Sequence, residues 1–168
     1  MKKCLILVLA LACVLGLLGC DPAMDRLDGE QLRDNTVKIE LYAYENDAPR
    51  LIRADKMDAS VFDFGKATFQ AALEEERIEE VAAEIAEQEL LLFDRTLNEP
   101  IGRTLVLHQS DGTMIVLFGS VYRTKVGLNQ YFGYCNRYDE NGAFVEYLGD
   151  LSHSFVDELA DRYFESGT

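Results

Sequence analysis

His108, Ser110 and Asp111 bring the three residue types of a hydrolytic triad within four positions. Such a trio could supply base, nucleophile and orienter for acyl transfer. Their setting argues against that chemistry. Ser110, Asp111, Gly112 and Thr113 separate two apolar runs, and Asp followed by Gly in such a place marks a tight hairpin turn. A turn leaves no room for three side chains to converge on one reacting atom. His153, between Ser152 and Ser154, reads as the start of a helix. A hydrolase assembled from carboxylates scattered along the chain stays open, because 30 Asp and Glu residues offer many pairs.

Metal chemistry fares no better. His108, His153 and Cys135 are zinc-type ligands, but they show none of the short-spaced pairs that zinc sites use. Asp139, Asn141 and Gly142 match three positions of an EF-hand loop, yet the same register puts Arg137 at the first ligand and Leu148 at the final bidentate one. Both residues defeat calcium binding, and a hairpin turn accounts for the same segment. The glutamates from Glu74 to Glu89 read as a solvated helix face or as a docking face for a basic partner; divalent-cation binding is a further alternative, although exposed glutamates more often gather ions diffusely. No phosphate-binding glycine loop, Walker motif, GxSxG elbow or CxxC pair is present, so no cofactor is expected.

Aromatic residues gather late in the chain. On a strand, Phe132, Tyr134 and Tyr138 share one face while Tyr131, Cys135 and Arg137 share the other. With Tyr147 on a following strand, these residues make the best candidate for a binding surface, since tyrosine suits contacts with one apolar and one wet end. Cross-strand packing explains the same pattern.

The N-terminus says where the chain resides. Lys2 and Lys3 precede an apolar run from Leu5 to Leu18, broken by Gly16, shorter than the roughly 20 residues of a spanning helix. It reads as a signal peptide. Leu17, Leu18, Gly19 and Cys20 close the run and resemble the lipobox of bacterial lipoproteins. That resemblance covers only about the first twenty residues. It implies cleavage before Cys20, a diacylglyceryl group on its sulfur, and a chain held on the outer, extracytoplasmic face of a cell membrane. Two acyl chains suffice for stable anchoring. Asp21 is an inner-membrane retention signal in some two-membrane bacteria and carries no message in one-membrane ones.

Cleavage after residue 19 leaves 149 of 168 residues, a length for one domain. Without Lys2 and Lys3, 14 basic residues face 30 acidic ones, a net charge of −16. Such a charge opposes nucleic acid, anionic lipid headgroups and anionic wall polymers, and suits a protein or a small cationic ligand. Cys4 and Cys13 leave with the signal and Cys20 takes lipid, so Cys135 remains as a single thiol, expected to be buried and inert.

Residues 20–35 read as the lipidated cysteine and a flexible polar tether, and 36–168 as one acidic domain. Val37, Ile39, Leu41 and Ala43 alternate with polar neighbours, which predicts a strand over 36–44; a short strand over 50–54 should follow. Phe69, Ala71 and Leu73 have period two, and Ile78, Val81, Ala82, Ile85 and Leu92 have the helical period, which predicts a strand and then a helix near 75–90. A hairpin over 104–119 with a two-residue loop pairs Leu107 with Val116 and Leu105 with Phe118, and both its faces are apolar, as in a sheet covered on both sides. A second hairpin sets Arg137 opposite Glu146. A closing helix near 153–165, capped by Ser154 with Asp157, buries Phe155, Val156, Leu159 and Ala160. The fold class is α+β: a mainly antiparallel sheet with two helices, one mid-domain and one C-terminal. The function expected is a lipid-anchored, non-catalytic binding or interaction module of the cell envelope.

Overall fold

A computed structural model describes residues 24–44, 63–91, 101–123, 129–152 and 154–165. Cys20, the signal sequence, the strand expected over 50–54, Leu92 and His153 lie outside the described residues. In chain order the elements are β1 (Met24–Arg26), α1 (Gly29–Asn35), β2 (Thr36–Tyr44), β3 (Ala67–Ala72), a 3-10 turn (Glu75–Arg77) and α2 (Ile78–Ala86). They continue with β4 (Glu89–Leu91), β5 (Ile101–Gln109), β6 (Met114–Arg123), β7 (Asn129–Tyr138), β8 (Phe144–Leu151) and α3 (Phe155–Tyr163). All strands join one antiparallel sheet of eight in the order β1-β4-β8-β7-β6-β5-β2-β3. The chain is therefore α+β and mainly antiparallel sheet, with three α-helices among the described residues and not the two expected.

The extra helix corrects the tether. Residues 24–35 carry β1 and α1, with Leu27 and Leu32 in the core. Asp28 caps α1 by accepting a hydrogen bond from Gln31 N at 3.2 Å, and Thr36 Oγ1 donates to Leu32 O at 2.6 Å. Two apolar residues five positions apart are too sparse to show a period, yet they suffice to pin a seven-residue helix against α2.

Both faces of the sheet are buried. One packs aliphatic side chains such as Ile39, Leu105, Leu107, Leu117 and Cys135 against the apolar stripes of α2 (Ile78, Val81, Ala82, Ile85) and α3 (Phe155, Val156, Leu159, Ala160). The other is aromatic: Tyr44, Phe118, Tyr134 and Tyr138 with Val106, Met114 and Val116. β2 stands as expected and a strand is followed by a helix, but the helix expected near 75–90 spans only Ile78–Ala86 after the 3-10 turn, and Glu89–Leu91 is strand β4. Ser154 sits at the N-cap of α3 without a side-chain capping bond, so the expected cap is not formed.

The two hairpins use one turn design. Gly112 N donates to Gln109 O and Gly142 N to Asp139 O, both at 3.0 Å, and the two glycines have φ of 87° and 78°. A three-residue turn closed by a left-handed glycine replaces the two-residue loop expected at Asp111 and Gly112. The register therefore slips by one: Leu107 pairs with Ile115, Leu105 with Leu117, and His108 with Met114. Asp111 Oδ1 fixes this turn by accepting from Thr113 N at 2.9 Å and Thr113 Oγ1 at 2.7 Å. Arg137 does lie opposite Glu146, with an ion pair of 3.1 Å.

Candidate functional site

Tyr134, Tyr138 and Tyr147 do not present the surface expected of the tyrosine-rich strands, and the side chains of Tyr131 and Phe132 lie outside the described ones. Tyr134 and Tyr138 are 1% and 0% exposed and belong to the aromatic core. Tyr134 packs on Phe118 and Tyr147, with ring centroids 5.4 and 6.3 Å apart, and Tyr138 meets Phe144 edge-on at 5.9 Å. Tyr147 is half-buried, its hydroxyl donating to Asp150 Oδ1 at 2.5 Å. Tyr131 and Phe132 lie on β7 opposite Val121 and Ser120 of β6. Cross-strand packing is what Tyr134, Tyr138 and Tyr147 do.

Three polar arrangements are built instead. The first centres on Glu40, 6% exposed on the aromatic side of β2. Its carboxylate receives Lys38 Nζ at 2.5 Å, Tyr42 OH at 2.9 Å and His108 Nε2 at 2.7 Å. Strand pairing creates the cluster: Lys38 lies opposite His108 and Glu40 opposite Val106, while alternation keeps Lys38, Glu40 and Tyr42 on one face. Burial pushes the Glu40 carboxyl up, but these hydrogen bonds outweigh it and hold the group below its usual range. Burial and the bond to Glu40 push Tyr42 up to about 12. A buried carboxylate that orients a half-exposed histidine is the base-and-orienter half of a triad. Ser110 does not complete it, because its Oγ turns to Asn35 Oδ1 at 3.4 Å. His108, Ser110 and Asp111 are therefore not brought together; Glu40, one of the polar residues that alternate along β2, holds His108.

The second arrangement is a cleft of about 300 Å³ where β3 meets the helices. Ala71, Ala72 and Leu73 line it together with Glu74, Arg77, Tyr163 and Phe164. The Arg77 guanidinium stacks 4.4 Å above the Tyr163 ring, whose hydroxyl donates to Glu84 at 2.9 Å and Glu80 at 3.1 Å. The third is a smaller cavity of about 120 Å³ between α1 and the β5–β6 turn, where Asp28, Gln31, Asp111 and Arg137 surround a floor of Leu32 and Ile115.

No family model, curated protein or solved structure matches this chain.

Among the described residues no three His, Cys, Asp or Glu side chains converge as a metal site. The Glu-rich helix uses several of its carboxylates internally: Glu84 pairs with Arg162 at 2.5 Å, and Glu79 lies 3.9 Å from Arg33. Cys135 is fully buried, and desolvation pushes its thiol up to about 12, so it is not a ready nucleophile. No helix among the described residues is long and apolar enough to cross a membrane.

Proposed function

We propose that this protein is a lipid-anchored binding module on the outer face of a cell membrane, held through an acylated Cys20, which takes a protein segment or small ligand into the cleft beside β3. The observation that carries the binding reading is the cleft itself. Its volume of about 300 Å³ reaches the lower end of the range for small-ligand sites. It combines small and apolar walls with the Glu74 carboxylate and with one cation, Arg77, held by a ring. Exposed Glu75, Glu76, Glu79 and Glu80 lie on the turn and helix that follow, so an approaching partner is favoured if it is neutral or basic.

A photo-reactive side chain at exposed Ala72 in the native, anchored protein, followed by mass spectrometry, tests this reading. One dominant captured species, lost when Ala71→Trp fills the cleft, is the expected result; capture that ignores the filling would remove the cleft from the proposal. Cys20→Ala should release the chain from the membrane fraction. A hydrolytic second reading rests on the His108–Glu40 pair, and any hydrolytic turnover abolished by His108→Gln would favour it over binding.

A further inference from the structure

We propose a second site, beyond that reading and sharing no residue with its cleft: the cavity beside α1 binds a small zwitterion of the α-amino acid class, with its carboxylate on Arg137 and its ammonium on Asp111. The cavity brings Arg137 and Asp111 to one space without joining them, and a second carboxylate, Asp28, lines it while capping α1 through Oδ1. Among the described residues Arg137 pairs with Glu146, at 3.1 Å, and Asp111 has no ion-pair partner. Asp111 spends Oδ1 on Thr113 to close the turn, which leaves Oδ2 for a ligand. Arg137 uses one guanidinium nitrogen on Glu146, and its remaining N–H groups can meet a carboxylate. Hydrogen bonds from Thr113 hold the Asp111 carboxyl below its usual range, and the field of Arg137 adds to them.

Size narrows the ligand. An engineered cavity of about 150 Å³ holds benzene, so the present 120 Å³ admits on the order of five or six non-hydrogen atoms by that comparison. Glycine and alanine are of this size. The buried side chains of Leu32 and Ile115 form an apolar floor for a methyl group, and the Gln31 amide stands at the rim. A ligand with only a carboxylate would face Asp111 and Asp28 unbalanced, and one with only an amine would leave the Arg137 donors unused. The zwitterion answers both.

Isothermal titration of the full chain in detergent, with L-alanine, propionate and ethylammonium as probes, decides the matter. Saturable L-alanine binding is expected, with propionate and ethylammonium each at least tenfold weaker. Asp111→Asn keeps the turn acceptor while removing the charge, and Arg137→Gln removes the guanidinium. Each should weaken L-alanine at least tenfold without lowering the melting temperature by more than a degree or two, since both side chains are exposed or half-exposed. No saturable heat from L-alanine, ethylammonium binding as tight as L-alanine, or affinity unchanged in both variants would each overturn the proposal. The Ala71→Trp variant should bind L-alanine normally, which separates failure here from failure of the cleft.

Discussion

The two faces of the sheet are built from different side chains, and they tolerate polarity differently. The helix-covered face is aliphatic and closed by helices of period 3.6, and the buried charged residues among those described, Glu40 and Asp150, lie on the other face. The aromatic face takes in Glu40, Thr104, Asn136 and Asp150, from 0% to 6% exposed. Among the described residues, Thr104 Oγ1 and Asn136 Oδ1 have no hydrogen-bond partner there. Buried polar groups of this kind are costly unless satisfied, so the aromatic face is the one shaped by more than stability.

Leu117 and Phe118 are neighbours on β6, both 0% exposed, one in each core. Truncation at this point is the most direct test of the contrast. Leu117→Ala should cost about 2–5 kcal/mol and Phe118→Ala about 3–5 kcal/mol in denaturant unfolding. A cost below about 1 kcal/mol for Phe118→Ala would mean that the aromatic side is not a packed core.

Titration sharpens the comparison. Because Glu40 ionises below its usual 4.5 in the folded chain, its carboxylate stabilises the fold above that pH, and the contribution is lost as pH falls through the lower folded value. Tyr42 and Cys135 act at the alkaline end. Their values rise from 10.0 and 9.0 to about 12, so between those limits the folded chain keeps protons that the unfolded chain releases. Stability therefore falls as pH rises, from about pH 9 for Cys135 and about pH 10 for Tyr42. Glu40→Gln should flatten the acid limb of a stability–pH curve, whereas Tyr42→Phe and Cys135→Ala should each flatten part of the alkaline limb. Both faces thus feed the alkaline limb and the aromatic face alone supplies Glu40; an acid limb indifferent to Glu40→Gln would erase that distinction.

The aliphatic face was the legible one. Ile78, Val81, Ala82 and Ile85 announce α2 by their spacing, and the apolar character of both sides of β5 and β6 announces a doubly buried sheet. The aromatic site was hidden by β2, where Lys38, Glu40 and Tyr42 alternate with apolar residues and look solvent-facing. What buries Glu40 is the neighbouring strand, and pairing across 68 positions with His108 leaves no local trace. A signal was nevertheless present: if both sides of β5 are buried, the polar side of an adjoining strand lies against a core. The register slip at Gly112 was missed for a subtler reason, since Asp-Gly suits both turn lengths and the choice lies in Asp111 bonding Thr113.

The turn glycines extend the test to a smaller scale. Gly112 and Gly142 occupy equivalent left-handed positions, so alanine at either should cost about 1–2 kcal/mol in backbone strain. Their surroundings differ. A Cβ at Gly142 would come within 3.3 Å of the Phe64 ring, against 3.5 Å from Glu140 Cβ at Gly112. Gly142→Ala should therefore lower the melting temperature more than Gly112→Ala, with the excess removed by Phe64→Ala in the same chain.

The smallest expected effect lies where β7 and β8 face the helix side. Arg137 and Glu146 are directly opposed at 3.1 Å, but their side chains are 41% and 49% exposed. Water and salt screen such a pair, so a double-mutant cycle with Arg137→Gln and Glu146→Gln should give a coupling of no more than about 1 kcal/mol, shrinking further in high salt. The Glu40 cluster supplies the contrast, because its acceptor is withdrawn from solvent and three donors share it. Its cycle with Lys38→Met should keep most of its coupling in the same salt. Equal salt sensitivity in the two cycles would show that depth in the aromatic face does not protect the Glu40 charge, and the two faces would then differ in composition but not in their electrostatics.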